Sequence, residues 1–239
     1  MNEAERELLE TVRRARAERR TVPSKGSERN VALEGAFRIQ AELAAGRPLK
    51  GYKLGLVSPA KQRQMGIDRP VWGRVFSEMI HAHEVRLSDF IQPRVEPEVA
   101  ALLASDLPAG SSEGAAMRAV AGFVLAVDIL DSIWEGYRFT LAEVVADNTS
   151  GGGFLMGERL LEAPPAGDLE LWLDGELLGR GPVTALGNPY RQLATLADMA
   201  GGLSAGQVVF LGSPAAAQPA RPGTLTLLSA AGSLSARLV

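Results

Sequence analysis

The stretch Arg94-Val-Glu-Pro-Glu-Val-Ala-Ala-Leu-Leu103 places two acidic residues, Glu96 and Glu98, in an otherwise apolar segment. Its composition predicts a β-strand, on which side chains two residues apart lie on the same face. Two parallel carboxylates in a protein interior repel each other and lose hydration unless a cation or a shared proton compensates. The pair therefore predicts either half of a site for a hard cation, Mg²⁺ or Mn²⁺, or an edge strand with both carboxylates in water.

A third carboxylate, Asp128, favours the metal site. It lies in Gly122-Phe-Val-Leu-Ala-Val-Asp-Ile-Leu-Asp131, a hydrophobic run that is typical of a strand buried on both faces. An unpaired carboxylate in such a strand is costly unless it is protonated. Asp128 is expected to complete a three-carboxylate set with Glu96 and Glu98, and the alternative is a structural hydrogen bond. Asp131, an odd number of positions further on, is expected to point to the opposite face and to stay outside this set.

Lys53 is one of only four lysines, and it lies in the apolar segment Gly51-Tyr-Lys-Leu-Gly-Leu-Val57. Burial lowers the pKa of an ammonium group, which would suit Lys53 to proton transfer or to substrate anchoring. The alternative is a lysine at a strand end whose ammonium group reaches water. The next segment, which begins at Ser58, is predicted to form a short helix capped by that serine.

Composition limits the class of protein. The 239 residues are 46% hydrophobic with a net charge of −3, which fits one globular domain or one domain with a small appendage. We expect no broad basic surface for nucleic acid or anionic lipid, and no apolar run approaches the roughly 20 residues of a membrane span. The absence of cysteine excludes disulfides, thiolate metal sites and a thiol nucleophile. The charged N-terminus lacks a signal-peptide core, so the sequence predicts a cytoplasmic protein.

Hydrophobic periodicity divides the chain into a helical N-terminal portion, residues 1–48, and a β-rich body, residues 49–239. Helices are predicted at 3–20, 31–45, 111–121 and 189–201, and strands at 94–103, 123–133, 169–173, 207–212 and 224–228. The arginines of the first helix are interleaved with glutamates, which predicts a solvated face rather than an anion site. His81 and His83 have metal-ligand spacing but no evident third partner, which favours a surface turn.

Several further stretches accompany the three carboxylates. They are Ala36-Phe-Arg-Ile-Gln40, Gly51-Tyr-Lys-Leu-Gly-Leu-Val-Ser58, Lys61-Gln-Arg-Gln-Met-Gly66, Val144-Val-Ala-Asp-Asn-Thr-Ser150, Leu186-Gly-Asn-Pro189 and Gly206-Gln-Val-Val-Phe-Leu-Gly-Ser213. In this order they resemble the fumarylacetoacetate hydrolase superfamily, and within it the group of 2-keto-4-pentenoate hydratases and 4-oxalocrotonate decarboxylases. The resemblance covers residues 30–239.

The resemblance implies a mixed α/β fold, a rolled β-sandwich with a small helical N-terminal portion. It implies a divalent cation, Mg²⁺ or Mn²⁺, on Glu96, Glu98 and Asp128, and a catalytic lysine, Lys53, at a small 2-oxo acid substrate. The substrate-binding positions that it implies are Ser58, Val71, Asn148, Ser150 and Ser213. It also implies a homo-oligomer, either alone or in complex with a hydratase or decarboxylase partner.

Four positions depart from the family pattern. The third ligand is usually Glu where this chain has Asp128, Val57 stands where threonine is common, and Ile133 stands where arginine is expected. Hydratases of the group tend to read Pro-Asp-Phe/Tyr-Gly where this chain reads Pro70-Val-Trp-Gly73. Val71 therefore replaces an acidic residue thought to help handle the attacking water, and an apolar residue there resembles the decarboxylases.

Decarboxylation and hydration require different groups in the site. Loss of the distal carboxylate from a 2-oxo-3-enedioate needs stabilisation of a dienolate, whereas hydration needs an additional acid–base group for water. The sequence therefore predicts a metal-dependent decarboxylase that forms a 2-hydroxy-2,4-dienoate in the meta-cleavage catabolism of aromatic compounds. A 2-keto-4-pentenoate hydratase is the first alternative, and a non-catalytic paralogue that acts as a partner subunit is the second.

Overall fold

The computed structural model describes residues 1–57, 62–63 and 70–239. Two β-sheets and a set of helices make up this part of the chain. The predicted helix that begins at Ser58, and most of the motif over 61–66, lie outside the described residues. The predicted mixed α/β fold with a β-sandwich body is confirmed.

Helices and strands follow one another along the chain without a regular repeat. The helices are α1 (Glu3–Glu18), α2 (Leu33–Leu43), α3 (Glu113–Ala119), α4 (Leu141–Ala146) and α5 (Pro189–Ala200). The strands are β1 (Leu49–Gly55), β2 (Val71–Phe76), β3 (Ile80–His81), β4 (Glu84–Val85), β5 (Arg94–Leu103), β6 (Val120–Leu130), β7 (Gly151–Met156), β8 (Asp168–Leu173), β9 (Glu176–Pro182), β10 (Val208–Phe210), β11 (Gln218–Pro219), β12 (Gly223–Ser229) and β13 (Gly232–Leu238).

The larger sheet has eight strands, in the order β2-β1-β10-β5-β6-β7-β3 with β11 paired to β5. The smaller sheet has five strands in the order β4-β13-β12-β8-β9. The predicted strand 94–103 is confirmed at both ends, whereas the strand predicted at 123–133 runs over Val120–Leu130. It ends early because the neighbouring strand β7 begins only at Gly151, and the residue before it, Ser150, has a positive φ angle and is not extended.

One face of the larger sheet packs against the smaller sheet. Alternate residues of β5 and β6 point into this interface, and all of them are buried: Val95, Val99, Ala101, Phe123, Leu125, Val127 and Ile129. Leu171 of β8 and Leu227 of β12 meet them from the other sheet. Burial of each such side chain contributes roughly 1.5–3 kcal/mol, so this interface is the main hydrophobic core.

The opposite face of the larger sheet carries the acidic residues. Its apolar floor is formed by Ala100, Val124, Ala126, Phe154 and Phe210, which are small or aromatic and fully or almost fully buried. Because side chains alternate along a strand, the residues two and four positions before Ala100 share its face. The strand pairing thus brings the acidic part of β5 beside the end of β6, on the face away from the core.

The N-terminal helices cover this region through a separate hydrophobic cluster. Leu8, Val12 and Ile39 of α1 and α2 are buried together with Trp134 and Val145. The division at residue 48 stays a prediction. No helix in the described part of the chain is both long enough and apolar enough to cross a membrane.

Candidate metal and substrate site

Three carboxylates meet on the face of the larger sheet that points away from the smaller sheet. Glu96 and Glu98 project from β5, and Asp128 lies directly opposite Glu96 on β6. One oxygen of each residue lies within 4.8 Å of the others. Glu98 and Asp128 are buried, with 1% and 0% of their surface exposed, and Glu96 is half-buried. The predicted convergence of the three carboxylates is confirmed, whereas their role as metal ligands stays a prediction.

Lys53 reaches this cluster from β1. Its Nζ lies 2.5 Å from Oδ2 of Asp128, and its side chain is 2% exposed. Burial lowers the pKa of Lys53, but the carboxylates of Asp128 and Glu98 outweigh this effect, and the pKa lies above its ordinary value. The prediction of a lowered pKa is wrong for this reason, and Lys53 is held as an ammonium ion.

The two buried carboxylates, Glu98 and Asp128, both have raised pKa values. Burial, followed by the negative charge of Asp128, raises the pKa of Glu98 well above its ordinary value although Lys53 lowers it. Burial also raises the pKa of Asp128 against the opposing effect of Lys53. Glu98 accepts a hydrogen bond from the backbone N–H of Gly212 at 3.2 Å, but Oδ1 of Asp128 has no hydrogen-bond partner among the described residues. Buried oxygen donors with an unsatisfied atom fit a hard divalent cation such as Mg²⁺.

A cavity opens beside Lys53 and Glu96. Most of its wall is apolar, and the lining includes Leu54, Leu56, Val57, Val71, Leu130, Phe139 and Val144. Val71 stands where hydratases of the group tend to have an acidic residue. It is 3% exposed and contributes a buried aliphatic side chain to this wall. Val144 of α4 and Val71 thus make one side of the cavity apolar.

Two of the predicted substrate-binding serines line this cavity. Ser150 is buried, and its Oγ has no hydrogen-bond partner within the described residues. Ser213 is half-buried, and its hydroxyl donates to the carbonyl of Ala215 at 3.1 Å. Contact with substrate stays a prediction for both residues, and Ser58 lies outside the described residues.

Asn148 does not line this cavity, although it was predicted to bind substrate. Its side-chain Nδ2 donates to the carbonyl of Arg74 at 2.8 Å, and its Oδ1 accepts from the N–H of Arg74 at 2.7 Å. Both amide atoms therefore bond the backbone of β2, and contact of Asn148 with substrate stays a prediction. The departure at Ile133 also lies elsewhere, in the cluster beneath the N-terminal helices.

The segment Asn148–Ser150 has an unusual backbone. These three consecutive residues have φ angles of 50°, 53° and 54°, in the left-handed region. This conformation costs roughly 1–2 kcal/mol for each residue with a side chain, and strained backbone of this kind concentrates at functional sites. The hydroxyl of Thr149 donates to the carbonyl of Trp72 at 2.8 Å, which ties the turn to β2. The sequence gives little sign of the turn, because a β-branched threonine is its central residue.

Tyr137 and Arg94 are further residues near the cavity that the sequence interpretation missed. Tyr137 lines the cavity, and its hydroxyl donates to the carbonyl of Gln92 at 3.0 Å. The guanidinium of Arg94 lies 4.3 Å from the centre of the Tyr137 ring. Strand alternation could have found Arg94, which lies two positions before Glu96. His81 and His83 belong to no group of potential metal ligands in the described ranges.

Comparison with known proteins identifies the family. The family model for the C-terminal part of fumarylacetoacetate hydrolase matches residues 55–238. A 4-oxalocrotonate decarboxylase from a Pseudomonas species is 34% identical over 207 residues, which cover 81% of each chain. A 2-keto-4-pentenoate hydratase from Paraburkholderia phymatum is 35% identical and covers 81% of this chain and 72% of its own.

Solved structures agree with the sequence relatives. The 4-oxalocrotonate decarboxylase from Pseudomonas putida G7, complexed with magnesium and adipate, superimposes with a TM-score of 0.89 at 27% identity. This match covers 97% of the present chain and 96% of the other. The predicted resemblance is confirmed, and the chain belongs to the fumarylacetoacetate hydrolase family.

Proposed function

We propose that this protein is a divalent-cation-dependent lyase that decarboxylates a 2-oxo-3-enedioate such as 4-oxalocrotonate to a 2-hydroxy-2,4-dienoate in aromatic meta-cleavage catabolism. One observation carries the proposal. The ammonium ion of Lys53 contacts the buried carboxylate of Asp128, and Lys53 and Glu96 line a cavity that has Val71 in its wall. The same-fold relative with a TM-score of 0.89 is a decarboxylase that binds magnesium and a dicarboxylate, adipate.

The chemical need is to stabilise negative charge at one carbonyl. Decarboxylation breaks the bond to the distal carboxylate, and its electron pair moves through the conjugated system to the keto oxygen. A cation held by Glu96, Glu98 and Asp128, either Mg²⁺ or Mn²⁺, would supply Lewis acidity at the 2-oxo acid. The ammonium of Lys53, kept protonated by the neighbouring carboxylates, adds positive charge where the dienolate oxygen develops.

The cavity wall supports decarboxylation over hydration. Hydration requires a group that positions water and shuttles a proton, and Val71 offers none. The hydroxyl of Tyr137 is already committed to the carbonyl of Gln92. An apolar wall instead excludes water, which strengthens the electrostatic effect of Lys53 on a bound anion.

A hydratase is the second candidate because the relatives divide between the two reactions. Identity is 34% to a decarboxylase from a Pseudomonas species and 36% to a 2-keto-4-pentenoate hydratase from Burkholderia vietnamiensis. Overall identity therefore does not separate the two, and the proposal depends on the wall of the cavity.

A pair of assays tests the proposal. Purified protein with Mg²⁺ is given 4-oxalocrotonate while CO₂ release is measured, and 2-hydroxy-2,4-pentadienoate is supplied in parallel while loss of the dienoate is measured. We expect CO₂ release and poor hydration. Efficient hydration without CO₂ release would replace the decarboxylase by the hydratase, and turnover of neither substrate would support the non-catalytic partner subunit.

We also propose that the protein works in the cytoplasm as a homo-oligomer, alone or with a hydratase or decarboxylase partner. The support is its resemblance to a group in which such association is expected. Sedimentation of the purified protein, with and without a hydratase of the group, tests this part. A monomer that binds no partner would contradict it.

A further inference from the structure

We infer that Arg16 of α1 is a positioning residue for the reaction: it bridges Asp131 and Asp147 and thereby holds the turn Asn148–Ser150, which presents Ser150 to the cavity. This inference rests on the proposed function, because it assigns a role within that same site. It also extends the site to the N-terminal helix, which precedes the segment matched by the family model.

The guanidinium of Arg16 joins two aspartates that are distant in sequence from it. Its Nε and Nη2 donate to Oδ1 of Asp147 at 2.9 and 2.6 Å. Its Nη1 donates to Oδ2 of Asp131 at 2.8 Å, and Nη2 also donates to the carbonyl of Asp131 at 2.5 Å. A planar guanidinium can span two carboxylates in this way, whereas an ammonium is a single point of charge.

The same two aspartates hold both sides of the left-handed turn. The backbone N–H of Ser150 donates to the carbonyl of Asp147 at 2.9 Å, and the carbonyl of Ser150 accepts from the N–H of Asp131 at 2.8 Å. The turn is thus clamped between the residues that Arg16 ties together. Because a left-handed backbone is unfavourable for residues with side chains, it persists only where its surroundings impose it.

The contacts of Arg16 with Asp131 and Asp147 affect the cavity through Ser150. The Oγ of this residue is buried, lines the cavity and has no hydrogen-bond partner in the described ranges. A ligand oxygen is a suitable partner for such an atom. Arg16 bonds Asp131 and Asp147 and does not line the cavity, so it acts on the cavity only by fixing where the hydroxyl of Ser150 points.

The position of Arg16 on α1 explains why this helix is needed to hold the two aspartates. Leu8, Leu9, Val12 and Ala15 form the buried stripe of α1, and Arg16 follows directly on this stripe. Its side chain keeps 31% of its surface exposed, in a groove that Asp131 and Asp147 also line. The prediction that the arginines of α1 form only a solvated face is wrong for Arg16, whose partners lie 115 and 131 positions away in the sequence.

A double-mutant cycle tests the inference. We compare wild type with Arg16→Ala, Ser150→Ala and the double variant, and use Arg14→Ala as the matched control because Arg14 is an exposed arginine of the same helix. We expect Arg16→Ala to lower kcat/KM by roughly 10- to 100-fold, the scale of a small misplacement. In the Ser150→Ala background the same change should cost little, because its effect passes through Ser150.

Chemical rescue separates positioning from general stability. The groove leaves room for a free cation, so methylguanidinium at concentrations far below those that denature proteins should restore activity to Arg16→Ala. It should not restore activity to Ser150→Ala or to the double variant. Independent, multiplicative losses in the cycle, a loss of equal size in Arg14→Ala, or failure of rescue in folded Arg16→Ala would each overturn the inference.

A readout that needs no substrate keeps the inference distinct from the proposed function. Hydrogen exchange at the Ser150 amide, which bonds Asp147, should be faster in Arg16→Ala than in wild type and should slow again with methylguanidinium. Unchanged exchange at this amide would refute the clamp even in an active enzyme. If wild type turns over neither substrate, the proposed function fails while the exchange measurement still decides the role of Arg16.

Discussion

Two buried ionic clusters lie at the same end of β6, only three positions apart in the sequence, and they differ in how their charges are satisfied. The first contains Asp128 with Lys53 and Glu98, and the second contains Asp131 with Arg16 and Asp147. Each has two fully or almost fully buried carboxylates and one cation among the described residues.

The second cluster is saturated with hydrogen bonds. Oδ1 of Asp131 accepts from the backbone N–H groups of Ile91 and Gln92, both at 2.9 Å, and Oδ2 accepts from Arg16. Oδ2 of Asp147 accepts from the N–H of Ile133 at 3.0 Å, and Oδ1 accepts from Arg16. Every carboxylate oxygen of this cluster has at least one hydrogen-bond partner, so its carboxylates need no ligand to compensate their burial, and we expect the cluster to fix structure.

The first cluster is not saturated. Oδ1 of Asp128 has no hydrogen-bond partner within the described part of the chain, and the pKa of Glu98 is raised well above its ordinary value by burial and by Asp128. In the protein without a bound cation, this uncompensated charge destabilises the folded state. The two clusters are thus alike in residue type and burial and differ in the number of satisfied oxygens, which is the feature that leads us to expect a ligand at the first and not at the second.

The largest effect is expected from Glu98→Ala. Removal of this oxygen ligand should lower Mg²⁺ affinity by roughly 100-fold or more and abolish turnover, since even outer residues of metal sites contribute 10- to 100-fold. The metal-free variant should be no less stable than wild type, because Glu98 is buried at an electrostatic cost. Calorimetric titration with Mg²⁺ and urea unfolding without metal measure the two quantities.

Asp131→Ala is the matched control for this variant. It removes a carboxylate of similar burial from the saturated cluster and leaves Nη1 of Arg16 and two backbone N–H groups without their partner. We expect a loss of about 3–5 kcal/mol in the free energy of unfolding. Equal destabilisation by both variants, or unchanged Mg²⁺ affinity in Glu98→Ala, would contradict the expectation that the first cluster binds a cation and the second fixes structure.

The next effect concerns Lys53→Met, which keeps the length of the side chain and removes its charge. Turnover should be lost, whereas Mg²⁺ affinity should be kept or increased, because Lys53 competes with a cation for Asp128. Without metal the variant leaves a buried carboxylate unpaired, and we expect it to lose up to about 3–5 kcal/mol of stability.

Saturating Mg²⁺ should recover most of that stability, since a ligand at 100 times its Kd contributes about 2.7 kcal/mol. Thermal melts of wild type and variant over a range of Mg²⁺ concentrations measure this recovery. A shift in Tm with Mg²⁺ that is larger in Lys53→Met than in wild type is the expected result. Loss of Mg²⁺ binding in the folded variant would show instead that Lys53 supports the metal site.

Sequence alone predicted the parts of this site that depend on local periodicity. The two-residue spacing placed Glu96 and Glu98 on one face, and the hydrophobic run around Asp128 placed that residue in a buried strand. The apolar segment around Lys53 singled out that residue, and the family resemblance then supplied its predicted catalytic role and the fold. These features follow from strand alternation and from motifs, neither of which requires knowledge of the tertiary contacts.

What sequence could not predict depends on distances between remote residues. The direction of the pKa shift of Lys53 is set by a 2.5 Å contact with Asp128, and the prediction from burial alone had the wrong sign. The clamp made by Arg16 joins residues more than 100 positions apart. The role of Asn148 depends on which backbone groups of Arg74 lie within reach.

The smallest expected effect is a pH dependence of stability from Asp147. Burial raises the pKa of this carboxyl to about 6, although Arg16 lowers it. An unfolded aspartate titrates near pH 3.9, so the folded state binds this proton more tightly. Its contribution to stability is therefore present below about pH 4 and is lost as the pH rises through about 6. About two pKa units correspond to at most about 3 kcal/mol.

Asp147→Asn isolates this contribution because the amide does not titrate. Urea unfolding of both proteins at several pH values between about 4 and 7.5 gives the stability of wild type minus that of the variant, and the sign requires this difference to fall as the pH rises. Mg²⁺ should not change it, because Asp147 is outside the three-carboxylate group. A difference that rises with pH would mean that the pairing with Arg16 outweighs burial. The saturated cluster would then stabilise the protein through its charges as well as through its geometry.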